Sequence, residues 1–130
     1  MSRSIVLACG VIAAFAVAAP ARLLAATPQS LYNDNCSACH QASGKGVKGA
    51  FPALAGDPLV QGDPTSLMTV VLAGRASMPG FKDDLNDADL AALLSYVRAS
   101  WGNSGKPVTP ADVAAARAKL NTAKQPRAPK

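Results

Sequence analysis

The pentapeptide Cys36-Ser37-Ala38-Cys39-His40 constrains this chain more than any other feature. Two cysteines two residues apart, with a histidine directly after the second, form the pattern of covalent c-type haem attachment. The spacing has a chemical reason. Thiols about one helical turn apart can each add across one vinyl group of the same porphyrin, and the next side chain presents an imidazole nitrogen to the iron. Cys-x-x-Cys alone is shared with thiol redox sites and zinc sites; the adjacent histidine separates the cases. His40 is the only histidine in the chain, so no second imidazole is available to the iron. A zinc site is disfavoured because Cys36, Cys39 and His40 are too tightly spaced to close a tetrahedron and no fourth ligand is evident. A thiol–disulfide protein would leave His40 without a task, and no strand-rich pattern surrounds the motif.

At 130 residues the chain reads as one domain with appendages. Its apolar content is concentrated at the start: Met1–Ser4 carries one arginine, Ile5–Ala19 is unbroken small and apolar residues, and Pro20–Ala26 is alanine-rich. That order is the pattern of a secretory signal peptide over residues 1–26, cleaved after Ala26 or before Arg22. The apolar run of 15 residues is shorter than the roughly 20 that span a bilayer; the alternative is an uncleaved anchor. Cys9 lies within the run and leaves with it. The expected location is the periplasm. The remaining pair, Cys36 and Cys39, would close too small a loop to staple a domain as a disulfide, whereas a buried haem supplies the apolar mass that a small fold lacks.

The net charge of +5 divides unevenly. Residues 27–105 form the expected haem domain and carry −2, whereas residues 106–130 form an expected basic extension and carry +5. A basic tail suits acidic partners or lipid headgroups, or stays solvated with no partner. For an exported protein of this kind nucleic acid is excluded as a partner, and membrane contact is peripheral at most.

Along the mature chain the signals are helical throughout, so the predicted class is all-α. Thr27-Pro28 starts a helix that runs into the haem motif, with Leu31 and Tyr32 as core residues. Residues 41–62, rich in Gly and Pro, read as an ordered loop with Phe51, Pro52 and Leu54 as apolar anchors. Within it, the carbonyl of Pro52 or a neighbour is a candidate acceptor for the second nitrogen of His40. Asp63-Pro64 starts a helix through Leu72 that stops at Gly74, and Asn86 caps a long one with Leu90, Leu93, Leu94, Val97 and Trp101 on one face, closed by Gly102. Trp101 is expected against the first helix or the haem periphery. Thr109-Pro110 starts a short helix to about Leu120, with Thr122–Lys130 expected to be disordered.

Two methionines follow the leader as candidates for the sixth iron ligand. Met68 lies among aliphatic residues in a predicted helix and reads as core. Met78 lies in a loop and precedes Pro79, which stiffens the backbone, so it is the candidate distal ligand; its competing role is to cover the haem edge. His/Met ligation favours ferrous iron and raises the potential. With both axial positions filled, the iron exchanges electrons but does not readily bind oxygen or peroxide.

The order of these features resembles class I c-type cytochromes. Several segments are similar to a haem domain of the cytochrome c subunit of quinoprotein alcohol and aldehyde dehydrogenases: Phe51–Pro58, Asp63–Leu67, Val71–Gly74, Met78–Phe81 and Asp89–Asn103. The resemblance covers roughly residues 29–113. It implies an all-α fold around one covalently bound haem c, with Cys36 and Cys39 in thioether bonds, His40 proximal and Met78 distal. It further implies an electron carrier, not an enzyme, relaying single electrons between a dehydrogenase and a quinone or terminal oxidase. Those subunits carry several haem motifs in one chain; this sequence has one. Partners are expected at the haem edge near Cys36, Ala50–Phe51 and Ala76–Phe81, with Lys45, Lys48, Arg75 and Lys82 around it to steer an acidic surface. The rival functional reading is a haem protein with an open distal site, for ligand sensing or peroxidase-like catalysis.

Overall fold

A computed structural model describes residues 26–124 of the chain. These residues form α1 (Pro28–Asn35), α2 (Ser37–His40), α3 (Pro58–Gln61), α4 (Pro64–Ala73), α5 (Asp87–Ala99) and α6 (Pro110–Lys124). Among them there is no strand, only isolated bridges at Val47–Phe51 and Arg75–Met78, as the all-α expectation required. Residues 1–25 of the expected signal peptide, with Cys9, and residues 125–130 of the tail lie outside the described residues.

The helix starts follow their capping residues. Thr27 Oγ1 accepts from the Ser30 amide at 3.1 Å, the Asp63 carboxylate accepts from the Thr65 and Ser66 amides, and Asn86 Oδ1 accepts from the Asp89 amide at 2.8 Å. Each satisfies donors that the first turn leaves without an intrahelical partner. α1 packs on α5, α6 lies on both α4 and α5, and α3 touches α4 and α5. Their shared core contains Leu31 and Tyr32 of α1, Leu67, Met68, Val71 and Leu72 of α4, and Leu90, Leu93, Leu94 and Val97 of α5. Met68 is 3% exposed, in the core role expected of it. Truncating a fully buried leucine such as Leu90 to alanine would cost about 2–5 kcal/mol.

Four expectations need correction. The first helix does not continue through the haem motif: Cys36, at φ −125° and ψ −33°, ends α1 and begins α2. Asn35 and Ser37 bond back to the carbonyls of Leu31 and Asn33 at 2.8 and 2.7 Å, and such side-chain bonds one turn back bend helices. The loop over residues 41–62 contains α3, whose Asp57 cap accepts from the amides of Leu59 and Val60. α5 ends at Ala99, before Gly102, because Ser100 Oγ takes the Tyr96 carbonyl and Asn103 Nδ2 takes that of Val97. The last helix reaches Lys124, so Thr122–Lys124 are helical where disorder was expected.

The extension is also packed rather than appended. Val113 and Ala116 are buried, and Val108 before the helix joins the same core. Arg117 reaches across to Asp87, pairing with its carboxylate at 2.9 Å, and donates to the carbonyls of Lys82 and Leu85. The segment's low overall hydrophobicity hid this, since Val113 and Ala116, with half-buried Leu120, suffice to seat a helix that other bonds hold.

Candidate haem site

His40 is the last residue of α2 and is 9% exposed. Its Nδ1 donates to the carbonyl of Pro52 at 2.9 Å, the bond that the sequence suggested. This fixes the ring and the tautomer and leaves Nε2 as the nitrogen free to ligate. The chain allows it through Gly46, whose φ is +62° and where a Cβ would lie 2.4 Å from the carbonyl oxygens of Phe51 and Pro52. Only glycine lets the segment bearing Pro52 come this close to the turn after His40.

His40 opens onto two adjoining cavities that share part of their lining. Both are lined by Cys36, His40, Pro52, Arg75 and Met78. The inner cavity is walled by Leu59, Val60, Leu67, Val71, Leu94 and Val97, from α3, α4 and α5. The outer one carries Cys39 and the loop residues Ala50, Phe51, Ser77, Pro79 and Phe81. The structure thus brings Cys36, Cys39, His40 and Met78, which span 43 sequence positions, to one crevice. Met78 is held by two reciprocal backbone bonds with Arg75, at 3.0 and 3.1 Å.

The chemistry of this crevice fits a haem. Its walls are mostly aliphatic, one imidazole and one thioether face it, and two thiols lie at its mouth, while the Asp57 carboxylate that also lines it is engaged by the Leu59 and Val60 amides. Cys36 and Cys39 are not joined in a disulfide. Burial, with the neighbouring Cys39 second, pushes the Cys36 thiol up to about 11, the opposite of the lowered values that mark reactive redox thiols. Among the described residues no three His, Cys, Asp or Glu side chains cluster as metal ligands.

Of the four cations expected around the edge, Lys45 and Lys48 line a shallow hollow with Phe51 and Pro52 beside the crevice, and Arg75 lines the crevice itself. Lys82 does not belong with them. Its ammonium pairs with Asp83 at 2.9 Å, it borders a separate hollow with Leu72 and Leu120, and its carbonyl accepts from Arg117. Val47 and Phe51 are the exposed large apolar side chains of this rim, at 41% and 36%.

Sequence reasoning missed two residues that shape the site. Arg98, 1% exposed, donates to the carbonyls of Val60, Gly62 and Lys106. Asn103 donates to Leu54 and Val97 and accepts from Gly56. Together they fasten the wall carrying Leu54, Leu59 and Val60 to α5. A polar residue punctuating the end of a helix was the available signal for Asn103; nothing in the sequence distinguishes Arg98 from a surface arginine.

Comparison with known proteins agrees with this geometry. Residues 24–97, more than half of the chain, match the family model described as cytochrome C oxidase, cbb3-type, subunit III. The chain is 41% identical over 86 residues to the cytochrome c subunit of alcohol dehydrogenase (quinone) from Gluconobacter oxydans, covering 57% of this chain and 18% of that one. It is 38% identical over 105 residues to the gluconate 2-dehydrogenase cytochrome c subunit of Pantoea cypripedii, covering 70% of this chain and 24% of that one. It thus spans about a quarter or less of the length of these subunits. Cytochrome c-552 of Thermus thermophilus is 33% identical over 110 residues, 69% of this chain and 84% of that one. The helical fold closed around the Cys36–His40 crevice and these matches agree: the chain belongs to the class I c-type cytochromes, haem proteins that carry electrons and are not themselves enzymes.

Proposed function

We propose that this cytochrome is a periplasmic carrier that relays single electrons from a dehydrogenase toward a quinone or terminal oxidase, using one haem c. Cys36 and Cys39 hold the haem by thioether bonds, His40 is the proximal ligand and Met78 the distal one. When bound, the haem supplies a reversible one-electron couple. The observation that carries the reading is the convergence of these four side chains on one aliphatic crevice, with His40 Nδ1 already committed to Pro52.

The chain's own contributions follow from its walls and rim. Leu59, Val60, Leu67 and Val71 keep water from the inner cavity, which favours the less charged ferrous state. Pro52 orients the His40 ring through the Nδ1 bond. Lys45, Lys48 and Arg75, with exposed Val47 and Phe51 between them, suit a redox partner with an acidic rim and an apolar centre. The dehydrogenase setting rests on the similarity to two dehydrogenase cytochrome subunits. The periplasmic placement rests on the signal-like residues 1–26; no helix among the described residues is long and apolar enough to cross a membrane.

The test is the visible spectrum of the exported, dithionite-reduced protein before and after carbon monoxide. An unchanged low-spin spectrum is expected. A carbon monoxide shift would move the open-distal-site reading forward, and absence of any haem band would end the proposal.

A further inference from the structure

The residue after His40 sits in a conformation that a glutamine should not adopt. Gln41 has φ +62° and ψ 155°, a region populated almost only by glycine and strained for any other residue. Such a backbone persists only when its surroundings hold it. The surroundings here are specific. Tyr32, nine residues earlier on α1 and 0% exposed, donates its hydroxyl to the Gln41 carbonyl at 2.6 Å. One residue further on, Trp101 Nε1 donates to the Ala42 carbonyl at 3.2 Å.

The two donors form one unit. The Tyr32 and Trp101 rings meet at a tilt of 57°, their centroids 5.0 Å apart, and Tyr96 packs against both at 5.8 and 6.0 Å. The indole also lies on Gly44, where a Cβ would come within 2.4 Å of the ring. The peptide that follows His40 is therefore held from α1 and from the end of α5, while the His40 ring is held by Pro52 and its carbonyl by the Gly46 amide at 3.0 Å. Burial first, then the neighbouring Cys36 and Tyr96, raise the Tyr32 phenol to about 12, so it stays a neutral donor throughout the physiological range.

We infer that the Tyr32 hydroxyl is a positioning group for His40: it holds the strained Gln41 peptide and through it sets the orientation of the imidazole. The inference rests on the reading of His40 as the proximal ligand. It makes a prediction that general stabilisation does not. If the hydroxyl acts by restraining a strained residue, relieving the strain removes the need for it, and Gln41→Gly rescues Tyr32→Phe.

The experiment compares full-length, haem-loaded wild type, Tyr32→Phe, Gln41→Gly and the double variant, with Ser95→Ala as a control. Ser95 makes an equally structural bond to Val108, away from the crevice. The readouts are the paramagnetically shifted proton resonances of the ferric protein's axial imidazole and the acid midpoint at which its low-spin spectrum is lost. Tyr32→Phe is expected to shift the imidazole resonances and to raise the acid midpoint, with about tenfold more protein having released its imidazole at a given acid pH. Gln41→Gly added to it restores both, and Ser95→Ala lowers the melting temperature while moving neither. Tyr32→Phe resonances identical to wild type overturn the inference, as does a double variant that keeps the Tyr32→Phe signature. Should Tyr32→Phe not fold, a folded double variant with wild-type resonances supports it and an unfolded one overturns it. A wild type lacking axial imidazole resonances would instead defeat the reading of His40 itself, so the two failures are distinct.

Discussion

Replacing Arg98 with methionine tests the most deeply buried cation among the described residues. The guanidinium is 1% exposed and has no carboxylate; it donates to the carbonyls of Val60 at 2.6 Å, Lys106 at 2.6 Å and Gly62 at 3.0 Å. Methionine fills much of the stem's volume but leaves all three oxygens without this donor. The bond to Val60 is fully buried, so its loss is worth about 2–3 kcal/mol. The other two are only partly buried, water can take them over, and each loses about 0.5–1 kcal/mol. The sum is roughly 3–5 kcal/mol, a large part of the 5–15 kcal/mol that holds a domain together. The opposing effect is relief of the buried charge, which makes apolar replacement of whole ion pairs neutral or favourable. Here the acceptors stay behind, so the loss wins. Urea titration of the holoprotein, followed by far-ultraviolet circular dichroism, measures it. Arg98→Lys keeps the charge but reaches fewer carbonyls and should fall between wild type and Arg98→Met. A loss below about 1 kcal/mol for Arg98→Met, the range of ordinary surface changes, would refute the reasoning.

Three further outcomes are expected. Met78→Ala lowers the reduction potential and lets carbon monoxide bind the reduced protein; an unaltered spectrum and potential would exclude Met78 as a ligand. Charge reversal of the rim, Lys45→Glu with Lys48→Glu, slows electron exchange with an acidic partner about tenfold at low salt and flattens the salt dependence, and stopped-flow rates that keep the wild-type slope would remove the docking face. The Asp63 carboxyl is held below its ordinary pKa of 3.8 first by the Thr65 amide, then by Ser66. Its contribution to stability is therefore complete above that value and disappears as the pH falls through the lowered one. Asp63→Ala should thus melt lower than wild type at neutral pH and converge with it in strong acid, whereas a gap that persists unchanged would deny the carboxylate its role.

What could be read from the sequence was whatever is written locally. Thr27-Pro28, Asp63-Pro64 and Asn86 each announce a helix start because the capping side chain and the amides it serves lie within three residues. The same signal stood at Asp57-Pro58 and marks α3; it was lost inside a run of glycine and proline. His40 and its acceptor Pro52 lie 12 residues apart in one loop and were also legible. The seating of α6 was not, because Arg117 meets Asp87 across 30 residues and no local pattern records that. Arg98 escaped for a related reason: its partners are backbone carbonyls 36 and 38 residues away at Gly62 and Val60, and carbonyls have no letter in a sequence. Of the two places expected for the Trp101 ring, the first helix or the haem periphery, the ring meets Tyr32 of the first helix, but the φ of +53° that turns it there followed from no residue pattern.

The two sides of the crevice differ in how far the chain must travel to close them. The thiol and imidazole side is tied across 12 residues, from His40 to Pro52, and the thioether side across three, from Arg75 to Met78. The bond from Trp101 to Ala42 spans 59 residues. Short loops close in about 10–100 ns, whereas contacts of long separation wait on the entropy of the whole intervening chain. The two half-sites are therefore expected to form early and independently, and the aromatic junction between α1 and α5 to form last. Pulse-labelled hydrogen exchange during refolding reads that sequence of events directly. In kinetic terms the crevice is a clasp whose jaws take shape before its hinge is set.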